Sequence, residues 1–158
     1  MYIQLLYMKE LEDIIKSSSP IPLRKKTVLN IAYSNIWMKD VTGSILKNFD
    51  ISSEQFNVLR ILRGKKGIPA NLQDIQNRMI NKMSNTTRLV DKLILKGLVE
   101  RFTCEKNRRK VEIFITQDGL KLLKQLDPII EQAEADLTSN LTETELVQLN
   151  ELLTKLRK

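Results

Sequence analysis

The stretch from Lys82 to Thr116 constrains the fold more than any other part of the chain. It holds an amphipathic helical pattern, a glycine and a hairpin pattern in immediate succession. At about 100° per residue, its apolar positions recur on one side of a helix, as they do where a short helix packs against neighbours. These inward positions are Thr86, Leu89, Val90 and Leu93. We therefore predict a helix from Met83 to Lys96, ended by Gly97 in the left-handed conformation that glycine accepts.

The opposite face of this predicted helix carries small hydroxyl and amide side chains and one arginine, where a solvated face more often carries long Glu and Lys side chains. Such groups reach base edges and phosphates in a DNA major groove. The candidate residues are Ser84, Asn85, Thr87 and Arg88. Their spacing indicates a recognition helix.

Two segments rich in β-branched and aromatic residues follow, from Leu98 to Phe102 and from Lys110 to Thr116, as is typical of strands. The polar turn between them is strongly basic. Its positive side chains are Lys106, Arg108, Arg109 and Lys110. A groove-binding helix followed by a hairpin with a basic tip predicts a mainly α fold of the winged helix-turn-helix class.

The run MSNTTRLVDKLILKGLVER, followed by NRRKVEIFITQDG, closely resembles the MarR family of bacterial transcription regulators. In that family the recognition helix ends in Gly-Leu-Val-x-Arg, and the wing ends in Leu or Ile, Thr, two residues and Gly. The resemblance implies that Ser84, Asn85, Thr87 and Arg88 read DNA. It also implies long N- and C-terminal helices that form a dimerisation region.

The resemblance further implies that the wing contacts DNA through Lys106, Asn107, Arg108, Arg109 and Lys110. Arg109 matches the second arginine of the family's Asp-x-Arg wing motif and is expected to reach the minor groove. Asn107 stands where the family usually has the aspartate that braces this arginine. An amide can accept the same hydrogen bond, but without the charge assistance of a carboxylate.

The charge of the chain is unevenly distributed. Of a formal net charge of +7 over 158 residues, the segment from Lys82 to Lys110 carries +6, whereas Gln117 to Lys158 carries −3. Concentrated positive charge is expected of a protein that neutralises DNA phosphates. The alternative, an ordinary solvated surface, would spread both signs evenly.

Several classes are disfavoured by what the sequence lacks. With one cysteine and no histidine, it offers neither a zinc finger nor Cys-His catalysis. It has no glycine-rich phosphate loop and no metal-spaced cluster, so we expect neither an enzyme nor a cofactor. Its apolar runs are shorter than the roughly 20 residues of a membrane span, so we expect a cytoplasmic protein. Cys104 fits a small structural residue of the wing, and the alternative is a redox sensor.

The flanking segments show helical spacing of apolar residues. We predict helices from Tyr2 to Ser18 and from Leu23 to Asn48, followed by two long C-terminal helices that each carry one apolar stripe. The first of these continues past Pro128, because its apolar pattern continues on the far side. Ser52 with Gln55, and Thr142 with Glu145, fit capping boxes, and Asn71 fits an N-cap. Residues 51–116 would form the DNA-binding lobe, and residues 1–50 and 117–158 the dimerisation region.

The leucine-rich C-terminal helices imply a partner surface, and the simplest partner is a second copy. The resemblance also implies a small aromatic effector, bound in a cleft that Tyr33, Trp37 and Met38 could line; the alternative is that these are ordinary core residues. We predict a homodimeric, sequence-specific regulator of double-stranded DNA, more specifically a repressor. The alternative is a winged-helix module for protein contact or weakly selective architectural DNA binding.

Overall fold

The computed structural model describes residues 10–103 and 111–158. The chain divides into two compact units, residues 1–41 and residues 42–158. The first unit contains α1 (Leu11–Ile14) and most of α2 (Leu23–Lys47). In this unit the ammonium of Lys26 lies 2.9 Å from the Glu12 carboxylate and 3.5 Å from that of Glu10.

The N-terminal helix predicted from Tyr2 to Ser18 is shorter where it can be followed. Among the described residues it spans only Leu11–Ile14, and residues 1–9 lie outside the description. The prediction is therefore wrong at its C-terminal end. Lys16 has a φ of 52°, a left-handed conformation that cannot continue a helix.

The second unit contains the end of α2 followed by α3 (Ser53–Gly64), α4 (Leu72–Arg78), α5 (Thr86–Leu95), β1 (Val99–Thr103), β2 (Val111–Ile115), α6 (Gln117–Thr138) and α7 (Glu143–Leu156). The predicted class, mainly helical with a small β-hairpin, is confirmed. The long second helix is also confirmed, because α2 ends one residue before the expected Asn48.

The helix starts of the second unit follow their local sequences. Ser52 and Gln55 form the predicted capping box on α3, and Thr142 and Glu145 form the predicted box on α7. Asn71 caps α4, and Asp74 completes a box there that the sequence analysis did not identify. These caps satisfy backbone N–H groups that have no partner within a helix.

The core of the second unit is one apolar cluster to which α3, α4, α5, both strands and α6 contribute. Its completely buried side chains include Val58, Leu59, Ile75, Val90, Leu93, Ile113, Leu123 and Leu126. α6 continues through Pro128, as predicted. α6 packs in the same apolar cluster as α3, α4 and α5.

The two strands pair antiparallel, with Val99 opposite Ile115 and Thr103 opposite Val111. Ala70, which lies outside both strands, forms a single β-bridge with Ile113 of β2. Ala70 donates a hydrogen bond of 3.0 Å to the carbonyl of Ile113 and accepts one of 2.8 Å from its N–H. The hairpin is thereby anchored to the connection between α3 and α4.

α7 buries no residue within the described chain. Its large apolar side chains are exposed, including Val147, Leu149, Leu152 and Leu156. Among the residues described, no helix combines the length and apolar character needed to cross a membrane.

Candidate nucleic-acid interface

α5 has the two faces that the sequence predicts. Thr86, Val90 and Leu93 are buried, and Leu89 is half-buried. The Thr86 hydroxyl also hydrogen bonds to the side-chain oxygen of Gln76 on α4. This inward face fixes α5 against α4, so the outward face has a defined orientation.

The start of α5 differs from the prediction. The helix begins at Thr86, three residues after the expected Met83, because Asn85 is its N-cap. The Asn85 side-chain oxygen accepts a hydrogen bond of 3.0 Å from the backbone N–H of Arg88. The predicted start at Met83 is therefore wrong, and Ser84 lies in the turn that precedes the helix.

The four predicted DNA-reading residues lie close together but not in equivalent environments. Asn85, Thr87 and Arg88 are exposed, whereas the Ser84 hydroxyl oxygen is buried and has no hydrogen-bond partner among the described residues. Ser84, Asn85 and Arg88 line one hollow of about 320 Å³, together with Glu54, Leu89 and Lys92. The exposed amide, hydroxyl and guanidinium groups are the ones that can reach bases and phosphates.

The end of α5 is a Schellman motif. Gly97 has a φ of 70°, its N–H donates to Ile94, and the N–H of Leu98 donates to Leu93. Lys96 beside it forms an ion pair of 2.8 Å with Asp50. The predicted glycine stop is confirmed, and it turns the chain directly into β1.

β1 is joined to α5 by an ion pair. Arg101 on β1 lies 2.8 Å from the carboxylate of Asp91 on α5. Phe102 and Phe114 pack edge to face across the hairpin, with ring centroids 6.1 Å apart. These contacts orient the base of the wing relative to α5.

The predicted wing contacts lie outside the described residues, which resume at Val111. They are Lys106, Asn107, Arg108, Arg109 and Lys110. Cys104 also lies outside them, so its predicted structural role stays a prediction.

The three predicted effector-cleft residues all lie on α2 in the first unit. Tyr33 and Trp37 are half-buried, and Met38 is exposed. A separate cavity of about 650 Å³ lies within the second unit, between the end of α2, the start of α3 and the C-terminal half of α5. Its charged lining residues are Lys47, Asp50, Glu54, Lys92 and Lys96.

Three residues that position α5 could not be identified from the sequence: Gln76, Asp91 and Asn57. Gln76 and Asp91 are polar residues on helices, and their partners lie 10 residues away in the sequence. Asn57 on α3 accepts a hydrogen bond of 3.1 Å from the N–H of Ile80 before α5. No local pattern marks these pairs, because each depends on how two elements pack.

The sequence of this chain is similar to those of known proteins. Residues 51–111 match the sequence profile of the MarR family. The chain is 32% identical over 112 residues to the multiple antibiotic resistance protein MarR of Escherichia coli strain K12, a similarity that covers 70% of this chain and 76% of that protein.

Two solved structures of DNA complexes have the same fold. A mutant MarR from E. coli complexed with operator DNA is 26% identical, with a TM-score of 0.72 over 94% of this chain and 99% of that chain. The MepR–DNA complex of S. aureus is 26% identical, with a TM-score of 0.70 over 82% of this chain and 92% of that chain. From the winged helix-turn-helix geometry and these similarities together, we conclude that the chain belongs to the MarR family of DNA-binding transcription regulators.

Proposed function

We propose that this regulator acts as a homodimeric repressor that binds a pseudo-palindromic operator. The observation that carries the proposal is the exposed N-terminal end of α5, where Asn85, Thr87 and Arg88 lie on a helix whose other face is fixed in the core. In helix-turn-helix proteins the N-terminal residues of the recognition helix contact base edges. Two copies would place their helices in successive major grooves, roughly 34 to 36 Å apart.

The exposed apolar surface of α7 supports the homodimer. Four large apolar side chains of this helix are between 42% and 63% exposed in the single chain: Val147, Leu149, Leu152 and Leu156. A helix that buries no residue in its own chain gains little stability from packing. At about 100° per residue, Leu149, Leu152 and Leu156 lie on one side of α7, and a second copy would cover this face. The two lobes would then act on one DNA molecule.

The basic wing supplies the second DNA contact in this proposal. Arg108 and Arg109 would enter the minor groove beside each half-site, since a narrow A·T-rich groove attracts arginine. Lys106 and Lys110 would contact phosphates. The pairing of β1 with β2 and the Arg101–Asp91 ion pair support this, because they hold the hairpin beside α5.

Ligand responsiveness is the third part of the proposal. The cavity in the second unit is bounded by α2 on one side and by Lys92, Leu95 and Lys96 of the recognition helix on the other. Three lysines against two acids in its lining favour a small anionic ligand. Tyr33, Trp37 and Met38 remain the alternative effector site. A thermal-shift screen of small aromatic acids, followed by operator release, would test the coupling between ligand and DNA.

The decisive experiment is a fluorescence-anisotropy titration of the full chain against the DNA upstream of its own gene. We expect binding that is selective over scrambled DNA of equal length and that weakens steeply as salt rises. Equal affinity for both DNAs would favour weakly selective architectural binding, and no binding to either would contradict the proposal.

A further inference from the structure

The turn between α4 and α5 is held in place by hydrogen bonds. The Asn81 side-chain oxygen accepts a hydrogen bond of 3.1 Å from the N–H of Met83, and the Asn81 carbonyl accepts one of 3.2 Å from the N–H of Ser84. Such an Asx turn inside a β-turn is a local constraint on the backbone. The side chain of Gln76 also donates to the carbonyl of Lys82. The backbone that carries Met83 is therefore fixed to α4.

Met83 is 92% exposed, although its backbone is fixed in this way. It lies two residues before Asn85, the N-cap of the recognition helix. Isolated exposed apolar residues are common on protein surfaces, so exposure alone indicates nothing. Here the exposed thioether lies in sequence between the basic side chains of Lys82 and Arg88, which are themselves exposed. A surface that attracts phosphates thus presents a long, unbranched apolar side chain just before the start of α5.

We propose that Met83 is a specificity-determining residue that packs against the C5 methyl group of a thymine in the major groove. The inference rests on the proposed operator binding and deepens it by assigning one base contact. Thymine alone among the four bases presents a methyl group there, so an apolar side chain distinguishes it from the other three. Methionine suits this role because its unbranched side chain adapts to the surface it meets.

This contact is favourable because it removes apolar surface of both the Met83 side chain and the thymine methyl group from water. Burial of one methyl-sized group contributes about 0.8 kcal/mol, which corresponds to about a fourfold change in affinity. The hydrogen-bonded turn makes the contact more favourable, because less backbone freedom is lost on binding. Arg88 and Asn85 would hydrogen bond to polar base edges, and Met83 would contact the apolar methyl group of thymine.

The test is a deoxyuridine scan of the operator with the full chain, measured by anisotropy at one fixed salt concentration. Each thymine is replaced singly by deoxyuridine, which removes only the C5 methyl group. For the wild-type chain we expect about a fourfold loss of affinity at one thymine in each half-site. For Met83→Ala we expect at least a fourfold loss on the thymine operator and no further loss at the same thymine on deoxyuridine substitution.

Two variants serve as controls. Met83→Leu retains an apolar side chain and should keep the sensitivity to deoxyuridine. Ile68→Ala removes an apolar side chain that is 65% exposed between α3 and α4, and it should bind like the wild type. Thermal melting should show Met83→Ala folded, because the side chain it removes is almost fully exposed.

The outcomes separate the two proposals. If the wild type binds its operator selectively but Met83→Ala shows the same deoxyuridine losses as the wild type, the methyl contact is overturned and operator binding stands. If the wild type shows no selective binding, the proposed function and this inference both fail. Loss of the deoxyuridine effect only in Met83→Ala supports the assignment.

Discussion

Gly119 lies against the backbone of Leu98 so closely that a Cβ atom on Gly119 would collide with the Leu98 carbonyl oxygen. The same atom would also stand 2.7 Å from Cγ1 of Ile115. Thr116 joins these segments, since its hydroxyl donates a hydrogen bond of 2.7 Å to the Gly97 carbonyl and accepts one of 3.0 Å from the Gly119 N–H. The Ile-Thr-x-x-Gly motif therefore joins the end of α5 to the start of α6.

We expect Gly119→Ala to destabilise the lobe by about 1 to 3 kcal/mol, because the added methyl group forces a backbone shift in a packed region. Urea denaturation would measure the change in the free energy of unfolding. Gly64→Ala is the matched control, because a Cβ there meets no atom within 4 Å. It should leave stability unchanged or raise it by about 0.4 to 1 kcal/mol. Equal effects of the two substitutions would contradict the close-approach argument.

The guanidinium of Arg63 on α3 binds both carboxylate oxygens of Asp127 on α6, at 2.5 and 3.1 Å. Both side chains are about one third exposed, which limits the strength of the pair. We expect a double-mutant cycle of Arg63→Met and Asp127→Asn to give a coupling energy of up to about 1 kcal/mol that decreases with added salt. Arg63→Lys should recover only part of it, because lysine lacks the paired donors. A coupling energy of zero would show that the pair adds no stability.

Arg88→Ala should weaken operator binding by about 1 to 3 kcal/mol and relax discrimination at particular base pairs. Lys106→Ala should instead weaken binding to all sequences alike and lower the salt dependence by about one phosphate contact. Anisotropy titrations over a salt series, with the operator and with single-base variants, would separate these effects. Equal, sequence-independent losses from both substitutions would mean that α5 does not read bases.

Leu152→Asp should convert the proposed dimer into monomers, since it places a charge on the exposed apolar face of α7 where the side chain is 63% exposed. Sedimentation velocity at several protein concentrations would measure the change. Thr154→Asp adds the same charge at an exposed position on the opposite side of the same helix and should leave the assembly intact. A wild-type chain that sediments as a monomer would refute the proposed homodimer.

The first turn of α7 should loosen in acid. The N–H and hydroxyl of Thr142 each donate a hydrogen bond of 2.8 Å to the Glu145 carboxylate, and these bonds lower the pKa of Glu145. A lowered folded-state pKa stabilises the turn above the ordinary carboxyl range, and this stability is lost as pH falls through the folded pKa.

NMR titration of Glu145, with amide exchange over the first turn of α7, would measure this loss. Glu145→Gln keeps a hydrogen-bond acceptor and should abolish the pH dependence of exchange in that turn. If the pH dependence persists in this variant, Glu145 is not its origin.

Much of the second unit could be predicted because its signals are local. The capping residues Ser52, Asn71 and Thr142 act on N–H groups only three residues away, so their types reveal helix starts directly. Gly97 marks a helix end for the same reason. The helical wheel failed at Ser84 because a turn held by Asn81 satisfies the backbone there instead of a helix.

The sequence by itself determined the order of elements, the two faces of α5, the basic hairpin and the family, because each depends on residue types at short, regular spacing. Tertiary structure alone decided which distant groups meet: Arg63 with Asp127, Ala70 with Ile113, and Gly119 with Leu98. The physical reason is that helix caps and periodic faces arise within one or two turns of chain. A contact between residues that lie 21 to 64 positions apart exists only after the core has packed, and nothing in the local sequence of either residue identifies its partner.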